Sequence, residues 1–434
     1  MLDIKFIREN PELVRDALKN KNRKPIDLDK IGALYEERLR LRGVGDELNR
    51  RRKEVSAARN IEEGKKIKEE SQRIEEELKN TEQELHHLLL QIPNIPSPDT
   101  PLGPDESGNQ VLRQIGDKPH FSFTPKAHWD LGPALDIIDN ERAAKVSGAR
   151  FTYIKGDLAL MQFALIQWVL GMLADHKKVA AIAEDFGVTV LPKPFIPIVP
   201  PVMVRPEVLN GMGRLDPPED KYHLEKDDLY LIGSAEHSVG PMHMDEILNE
   251  EDLPLRYVGY STAFRREAGS YGKDTKGILR MHQFDKIEME TFCLPEQSMD
   301  EQNLLVAVQE HLLQELGLPY QVVIVCTGDM GFPDQRQIDI ETWMPGQNTY
   351  RETHSADLIG SFQPLRLNIR VRRANGAVEY VHMNDATALA IGRTLIAIME
   401  NNQEEDGSIR IPEILRLYMG GKGKITKQVL GFRF

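Results

Sequence analysis

Heptad spacing dominates the first hundred positions. Leu34, Leu41, Leu48 and Val55 recur every seven residues. After a turn-like stretch at 60–64, Ile67, Ile74, Thr81 and Leu88 do the same, with Ser71, Leu78, Leu85 and Ile92 at the other heptad position. The pattern predicts two long helices folded back on each other as an antiparallel coiled coil. Such an arm, with roughly thirty residues to a side, is on the order of 40 Å long. Gly43 and Gly45 are weak points of the first helix and candidates for a bend. A shorter helix is expected to begin near Asn10-Pro11, where proline suits the first turn, and to end before Pro25. Pro93 to Gly108, PNIPSPDTPLGPDESG, breaks structure and ends the arm as a connector.

Past residue 109 the long period gives way to shorter segments. The stretch from His128, HWDLGPALDIIDNERAAKV, reads as a helix and GARFTYIKG as strand-like. Leu158 to Ala174 reads as a buried helix. Gln162 and Gln167 interrupt it and the chain has no run of eighteen apolar residues, so a membrane span is not expected. Val188 to Gly213 carries β-branched residues around Pro200-Pro201, which an edge or interface strand tolerates and a central strand does not. Leu231 to Val239, LIGSAEHSV, reads as a strand entering a turn that presents Glu236, and Val322 to Gly331 as a further strand with Cys326 packed. At 434 residues the chain exceeds what one hydrophobic core usually spans. Two domains are expected, an arm with its connector over 1–108 and a body over 109–434.

The net charge of −13 argues against a nucleic-acid partner only if the charge is spread evenly. From Lys19 to Lys68 sixteen Lys and Arg stand against nine Asp and Glu, and phosphate binding is driven by local positive charge and counterion release. Arg50, Arg51, Arg52 and Lys53, with Lys65 and Lys66, gather in the outer half of the expected arm, where they can reach an RNA backbone. A dimerising or purely structural coil with solvated flanks is the other reading. Cys293 and Cys326 are too few for a disulfide framework or a cysteine zinc site, and MLDIKFIREN has no apolar signal segment. A reduced, cytoplasmic setting is expected.

The chain is organised around Ser261 to Phe292, STAFRREAGSYGKDTKGILRMHQFDKIEMETF: a strand, a polar loop rich in glycine and positive charge, and a second strand. Arg265 and Arg280 flank the loop with planar five-donor forks suited to phosphate or carboxylate, and Gly269, Gly272 and Gly277 let the backbone approach closely. Such a hairpin can hold a polyanion. The run FRREAG followed by RMHQFDKIEM resembles motif 2 of the class II aminoacyl-tRNA synthetases, in the version of bacterial-type seryl-tRNA synthetases. Val188 to Gly213 resembles motif 1 and Ala390 to Glu400, AIGRTLIAIME, motif 3. The resemblance implies an α+β fold, with a coiled-coil arm that reads the long variable arm of tRNA(Ser) and a class II catalytic domain built on an antiparallel β-sheet. It also implies a homodimer joined through motif 1. The implied activity is ATP-dependent formation of seryl-adenylate from L-serine, aided by Mg2+, followed by esterification of tRNA.

Carried over residue by residue, the resemblance implies Arg265 and Arg393 as catalytic residues, the first bridging the α-phosphate and the attacking carboxylate, the second at the γ-phosphate. Arg266, Glu267, Met281, Thr353 and His354 are implied around ATP, with Phe284 stacked on adenine. Glu352 and Ser355 are implied to hold Mg2+, for which hard oxygen ligands suit. A lone His354 beside one glutamate does not make a transition-metal site. For serine, the resemblance implies Ser234, Ala235 and Glu236 at the ammonium, where the family usually has Thr-Ala-Glu, Arg265 at the carboxylate, Glu288 at the hydroxyl, and Thr387 where a substrate-contacting Ser is expected. An ionised Glu288 that accepts the hydroxyl's hydrogen bond would reject alanine.

Two blocks depart from the family pattern. The usual Ser-Ser-Cys-Ser-Asn, then Asp-Phe-Gln-Ala-Arg-Arg, is replaced by His354-Ser355-Ala356-Asp357-Leu358 and Ser361-Phe362-Gln363-Pro364-Leu365-Arg366. The usual His-Thr-Leu-Asn-Gly-Ser-Gly becomes His382-Met383-Asn384-Asp385-Ala386-Thr387-Ala388. These changes leave two alternatives open: an adenylating ligase for another small amino acid or another acceptor, and a non-catalytic RNA-binding paralogue. Intact Arg265, Glu288, Glu352 and Arg393 count against the paralogue, and the basic arm counts against a non-RNA acceptor.

Overall fold

The computed structural model describes residues 1–58, 60–215, 217–268 and 276–427, and the chain separates into two compact units, Met1–Ile95 and Pro96–Phe434. The first unit is helical: α1 Ile4–Glu9, α2 Pro11–Asn20, α3 Leu28–Ala57 and α4 Ile61–Leu90. Pro11 opens α2 as expected, whereas α1 was not foreseen. Six residues are too few for a helical period to show; Asp3 starts the turn by accepting the Lys5 N–H at 2.7 Å.

α3 and α4 run antiparallel, with Lys30 paired to Glu84 at 2.6 Å and Arg51 to Glu63 at 3.6 Å. The heptad positions Leu41, Leu48, Ile67 and Ile74 form one core between them, and Leu85 and Ile92 join Ile7, Val14, Leu18 and Ile31 in another. α3 continues through Gly43 and Gly45. The turn is shorter than expected, because Asn60 caps α4 by accepting the Glu63 N–H at 3.2 Å and Gly64 already lies inside the helix.

The second unit is built on eight strands among the described residues: β1 Gln110–Ile115, β2 Ile196–Ile198, β3 Leu255–Phe264, β4 Gln283–Cys293, β5 Tyr320–Ile324, β6 Arg336–Met344, β7 Thr349–Gly360 and β8 His382–Ala390. Their order is β1-β5-β6-β7-β8-β4-β3-β2. Every pair is antiparallel except β2 with β3. β2 is an edge strand, where its Pro197 is tolerated, and Pro200-Pro201 lie beyond its end.

The helices that position the site are α5 His128–Ala134, α6 Gly156–Leu173, α7 Pro206–Met212, α8 Glu236–Val239, α9 Ser298–Glu315 and α10 Ile391–Asn401. α6 buries Leu158, Met161, Leu165, Trp168 and Met172 at helical spacing while Leu160 and Phe163 stay exposed, so its long apolar run serves a core face. Leu305, Val308 and Leu312 of α9 share the core with Met289, Ala356 and Ala386, which lie in register on β4, β7 and β8. Successive strand residues face opposite sides. The next residues along, Glu290, Asp357 and Asp385, therefore line up on the other face.

Two elements depart from expectation: the helix read from His128 is two, His128–Ala134 and Asn140–Ser147, split by the two-residue strand Ile138–Asp139. GARFTYIKG forms only a two-residue strand, Tyr153–Ile154, paired with Ile138–Asp139. The compact units part at 95/96, and the backbone just beyond is bonded within the second: Ser97 N–H donates to the Gln335 carbonyl at 2.7 Å, and Thr327 N–H to the Pro101 carbonyl at 2.9 Å. Cys326 is buried there as expected, its thiol 3.0 Å from the Asp105 carbonyl.

Candidate active site

A cleft of about 220 Å³ opens on the sheet face opposite α9. Alternate residues of three strands line it: Phe284 and Lys286 of β4, Thr353, Ser355 and Asp357 of β7, and Thr387 of β8. Arg265 follows β3 directly, and Gly392 and Arg393 stand in the first turn of α10.

At one end the walls suit a nucleotide. Arg265 is oriented by its own backbone and side chain: its N–H donates to the His282 carbonyl at 3.0 Å and its Nε to the Gly233 carbonyl at 3.0 Å. Its guanidinium carbon lies 5.3 Å from the centre of the Phe284 ring. Glu267, in the left-handed region at φ 54°, pairs with Arg280 at 3.2 Å, and buried Met281 closes the wall. Arg393 Nη1 donates to the Glu352 carbonyl at 2.7 Å and lies 3.1 Å from its carboxylate. Burial works against the Glu352 charge, but Arg393, Arg265 and Lys286 hold it below the usual carboxylate range. Nearby Asp339 is pushed well up by burial and by the charge of Glu352.

The returning end of the motif 2 hairpin is pinned from a distant element. Ile278 N–H donates to His128 Nε2 at 3.2 Å, and His128 Nδ1 lies 2.9 Å from a Glu400 carboxylate oxygen. Gly277 sits at φ 72°, and a Cβ there would run into the His128 ring. Gly269 and Gly272 lie outside the described residues.

Two residues expected around ATP are elsewhere. Arg266 is exposed, bonded through Nε to the Lys221 carbonyl at 2.9 Å and set over the Tyr222 ring. His354 is buried with Nδ1 2.8 Å from Thr353 Oγ1, and burial pushes its pKa down to about 3, so the ring is neutral. A register shift between β6 and β7 at Ile340/Glu341 makes Thr353 the extra residue. Plain alternation puts Thr353 and Ser355 on the cleft face and His354 in the core, and the extra residue is what lets Glu352 line the cleft beside Thr353.

The other end is a dense charge cluster. Glu236 opens α8, with Arg214 Nε 2.9 Å away and His237 Nε2 at 3.5 Å; Ser234 and Ala235 are buried just before it. Lys286 Nζ lies 2.7 Å from Glu288 and donates to Ser234 Oγ at 3.2 Å. Thr387 sits directly across from Glu288 in the β4–β8 register. Arg214 is also 3.4 Å from Asp385 and 3.7 Å from both Asp334 and Asp357. Against the effect of burial, Arg214, then His237 and Lys286, hold Glu236 well below the carboxylate range. Burial pushes Glu288 up, and Glu290, Asp357 and Asp385 well up.

In the first unit Arg50, Arg51, Arg52 and Lys53 end α3, and Lys65 and Lys66 begin α4, all exposed. Arg50 pairs with Glu47 at 2.7 Å and Arg51 with Glu63 at 3.6 Å.

Residues 221–402 match the tRNA synthetase class II core domain (G, H, P, S and T), and residues 1–96 the seryl-tRNA synthetase N-terminal domain. The serine–tRNA ligase of Symbiobacterium thermophilum is 41% identical over 431 residues, 96% of this chain and 98% of that protein. The chain belongs to the seryl-tRNA synthetase family. Another family member, the serine–tRNA ligase of Thermotoga neapolitana, is 44% identical over 436 residues, 97% of this chain and 99% of its own. The crystal structure of seryl-tRNA synthetase from Pyrococcus horikoshii complexed with ATP matches with a TM-score of 0.85 at 37% identity, covering 99% of this chain and 100% of that one.

Beside the residues expected from the family motifs stand three that sequence reasoning missed. Lys286 had a signal, since alternation along QFDKIEME puts it on the face of Phe284 and Glu288. Arg214, in the segment after α7, and Asp334, before β6, had none; long-range packing brings them in.

Proposed function

We infer that this family member joins L-serine to the 3′ end of tRNA(Ser), converting ATP to AMP and pyrophosphate. The observation that carries this reading is the meeting in one cleft of Arg265, Phe284, Glu352 and Arg393 with Glu236 and Thr387, and with Glu288 directly across from Thr387. The chain holding that cleft aligns with serine–tRNA ligases over nearly its whole length.

A serine carboxylate oxygen attacks the α-phosphorus of ATP, the bond from that phosphorus to the β-phosphate bridging oxygen breaks, and pyrophosphate leaves. Arg265, fixed by Gly233 and His282, faces the charge that develops at the α-phosphate, and Arg393 faces the departing phosphates. Positioning and electrostatics carry such a step, and it needs no side-chain general base. Glu352 and Ser355 line the cleft and offer a carboxylate and a hydroxyl, so they fit Mg2+, which would neutralise phosphate charge when bound. Glu236 takes the substrate ammonium, and Glu288 accepts from the serine hydroxyl. In the second step a terminal hydroxyl of tRNA attacks the adenylate carbonyl and AMP leaves.

The basic residues of α3 and α4 hold the variable arm of tRNA through phosphate contacts, and the protein works in the cytoplasm. The exposed apolar Ile196, Val199 and Met203 support a homodimer through the motif 1 segment. Amino-acid-dependent exchange of pyrophosphate into ATP across serine, threonine, alanine and glycine, followed by charging of tRNA(Ser), tests the reading. Serine is expected to lead both. A higher rate with threonine, alanine or glycine, or no exchange at all, would overturn it.

A further inference from the structure

Charge at the inner end of the cleft exceeds what a hydroxyl side chain needs. Glu290, Asp385 and Asp357 stand side by side across β4, β8 and β7, and Glu236, Glu288 and Asp334 are buried around them. Arg214 and Lys286 pair with members of this group, and His237 lies 3.5 Å from Glu236. Like charges directly across a sheet repel, and buried carboxylates without a cation are unfavourable. Glu290 shows the imbalance most plainly: it is 1% exposed, it lies directly opposite Asp385, and neither of its carboxylate oxygens has a hydrogen-bond partner among the described residues.

The geometry offers a place for a further cation. Glu236, Glu288 and Asp385 each present an oxygen within 4.8 Å of the others. A nitrogen among three oxygens so spaced can sit about 2.8 Å from each, the length of a charge-assisted N–H···O bond. Donor count then separates two side chains of equal length. A serine hydroxyl has one proton to donate and serves Glu288 alone, whereas an ammonium on the same β-carbon has three and serves Glu288 and Asp385 together.

We propose that this pocket activates, beside serine, a short amino acid with a primary amine on its β-carbon, the class of L-2,3-diaminopropionate. The proposal rests on the amino-acid site assigned above. Its activation step is the same: a carboxylate oxygen bonds to the α-phosphorus, pyrophosphate leaves, and neither amine reacts.

Pyrophosphate exchange by the full-length chain with ATP and Mg2+ tests it, using L-serine, L-2,3-diaminopropionate and L-alanine. The diamino acid is expected to exceed alanine in kcat/KM by at least about tenfold, since alanine leaves the buried acceptors unserved. Asp385→Asn is expected to lower the diaminopropionate-to-serine ratio by about tenfold, since an asparagine cannot become the ionised acceptor that a bound ammonium would favour at Asp385. If serine exchanges and the diamino acid does no better than alanine, the inference falls and the serine reading stands. If neither exchanges, both fall. An unchanged ratio in folded Asp385→Asn also overturns the subsite, and if that variant does not fold, the unmutated chain decides alone.

Discussion

In the two-helix unit the ion pairs Lys30 with Glu84, Arg42 with Glu82 and Arg50 with Glu47 join side chains that are about half exposed. Pairs of that kind contribute about 0–1 kcal/mol each. In the larger unit, Arg214 is 18% exposed and faces four carboxylates, of which Glu236 at 9% is the most exposed but for Asp357 at 10%. Water explains the difference. It screens the arm's cations and leaves them free to exchange a weak partner for an outside phosphate, while its exclusion from the cleft forces each charge to find a fixed partner or take up a proton. The arm's charge therefore gives affinity for a polyanion in general, and the cleft's charge gives selectivity for one arrangement of donors.

The sharpest way to test the enclosed half is Arg265→Ala. With its backbone and Nε anchors already satisfied within the unit, the residue is expected to serve the transition state, and its loss should raise the barrier to adenylate formation by roughly 2 to 4 kcal/mol. Circular dichroism and gel filtration should show the fold and oligomeric state unchanged. Near-normal pyrophosphate exchange in such a folded variant would remove Arg265 from the α-phosphate.

Glu288→Ala should fall next. Loss of a charged acceptor is expected to lower kcat/KM for serine by roughly 1.5 to 3 kcal/mol while the KM for ATP stays close to the parent value. Equal losses toward serine and ATP would mean that Glu288 supports the sheet or the nucleotide and does not read the hydroxyl.

A third test changes stability and not rate. Burial, then the charges of Asp385, Glu236 and Glu288, push Glu290 well above the usual carboxylate range. A carboxyl raised in the folded state binds a proton that the unfolded chain releases. Its contribution to stability is thus present below the unfolded pKa, near 4.3, and is lost as the pH rises from there toward the folded value. Glutamine does not titrate, so Glu290→Gln should be more stable than the parent at pH 8, with the difference shrinking toward pH 4 in urea unfolding. A difference independent of pH would show that Glu290 does not hold an extra proton in the folded state.

The smallest effect per residue belongs to the arm. Neutralising Arg50, Arg51, Arg52 and Lys53 should flatten the salt dependence of tRNA binding, each lost phosphate contact lowering the log–log slope by roughly 0.7 to 0.9. Serine-dependent exchange should not change. Because the carboxylate partners of Arg50 and Arg51 are exposed and weak, all four residues are expected to contribute to the change. The same affinity and slope as the parent would reduce this basic face to a solvated surface.

The sequence by itself determined whatever depends on neighbours in the chain. The heptads named both long helices and the residues they bury, from Leu41 to Ile92. Alternation along β4 put Phe284 and Glu288 on one face, and the motif residues Arg265, Glu352 and Arg393 were legible in their local runs. These periods are properties of consecutive residues. Only the tertiary structure decided what depends on which segments meet. It set Glu290, Asp385 and Asp357 in one row across three strands and brought Arg214 and Asp334 to them from distant segments. It turned Glu352 onto the cleft face beside Thr353 through a one-residue register shift, which reverses the face of a side chain without changing a letter of the sequence. The backbone groups of Ser97 and Pro101 found partners after β5, and no local signal in a proline-rich run tells which partners it will meet.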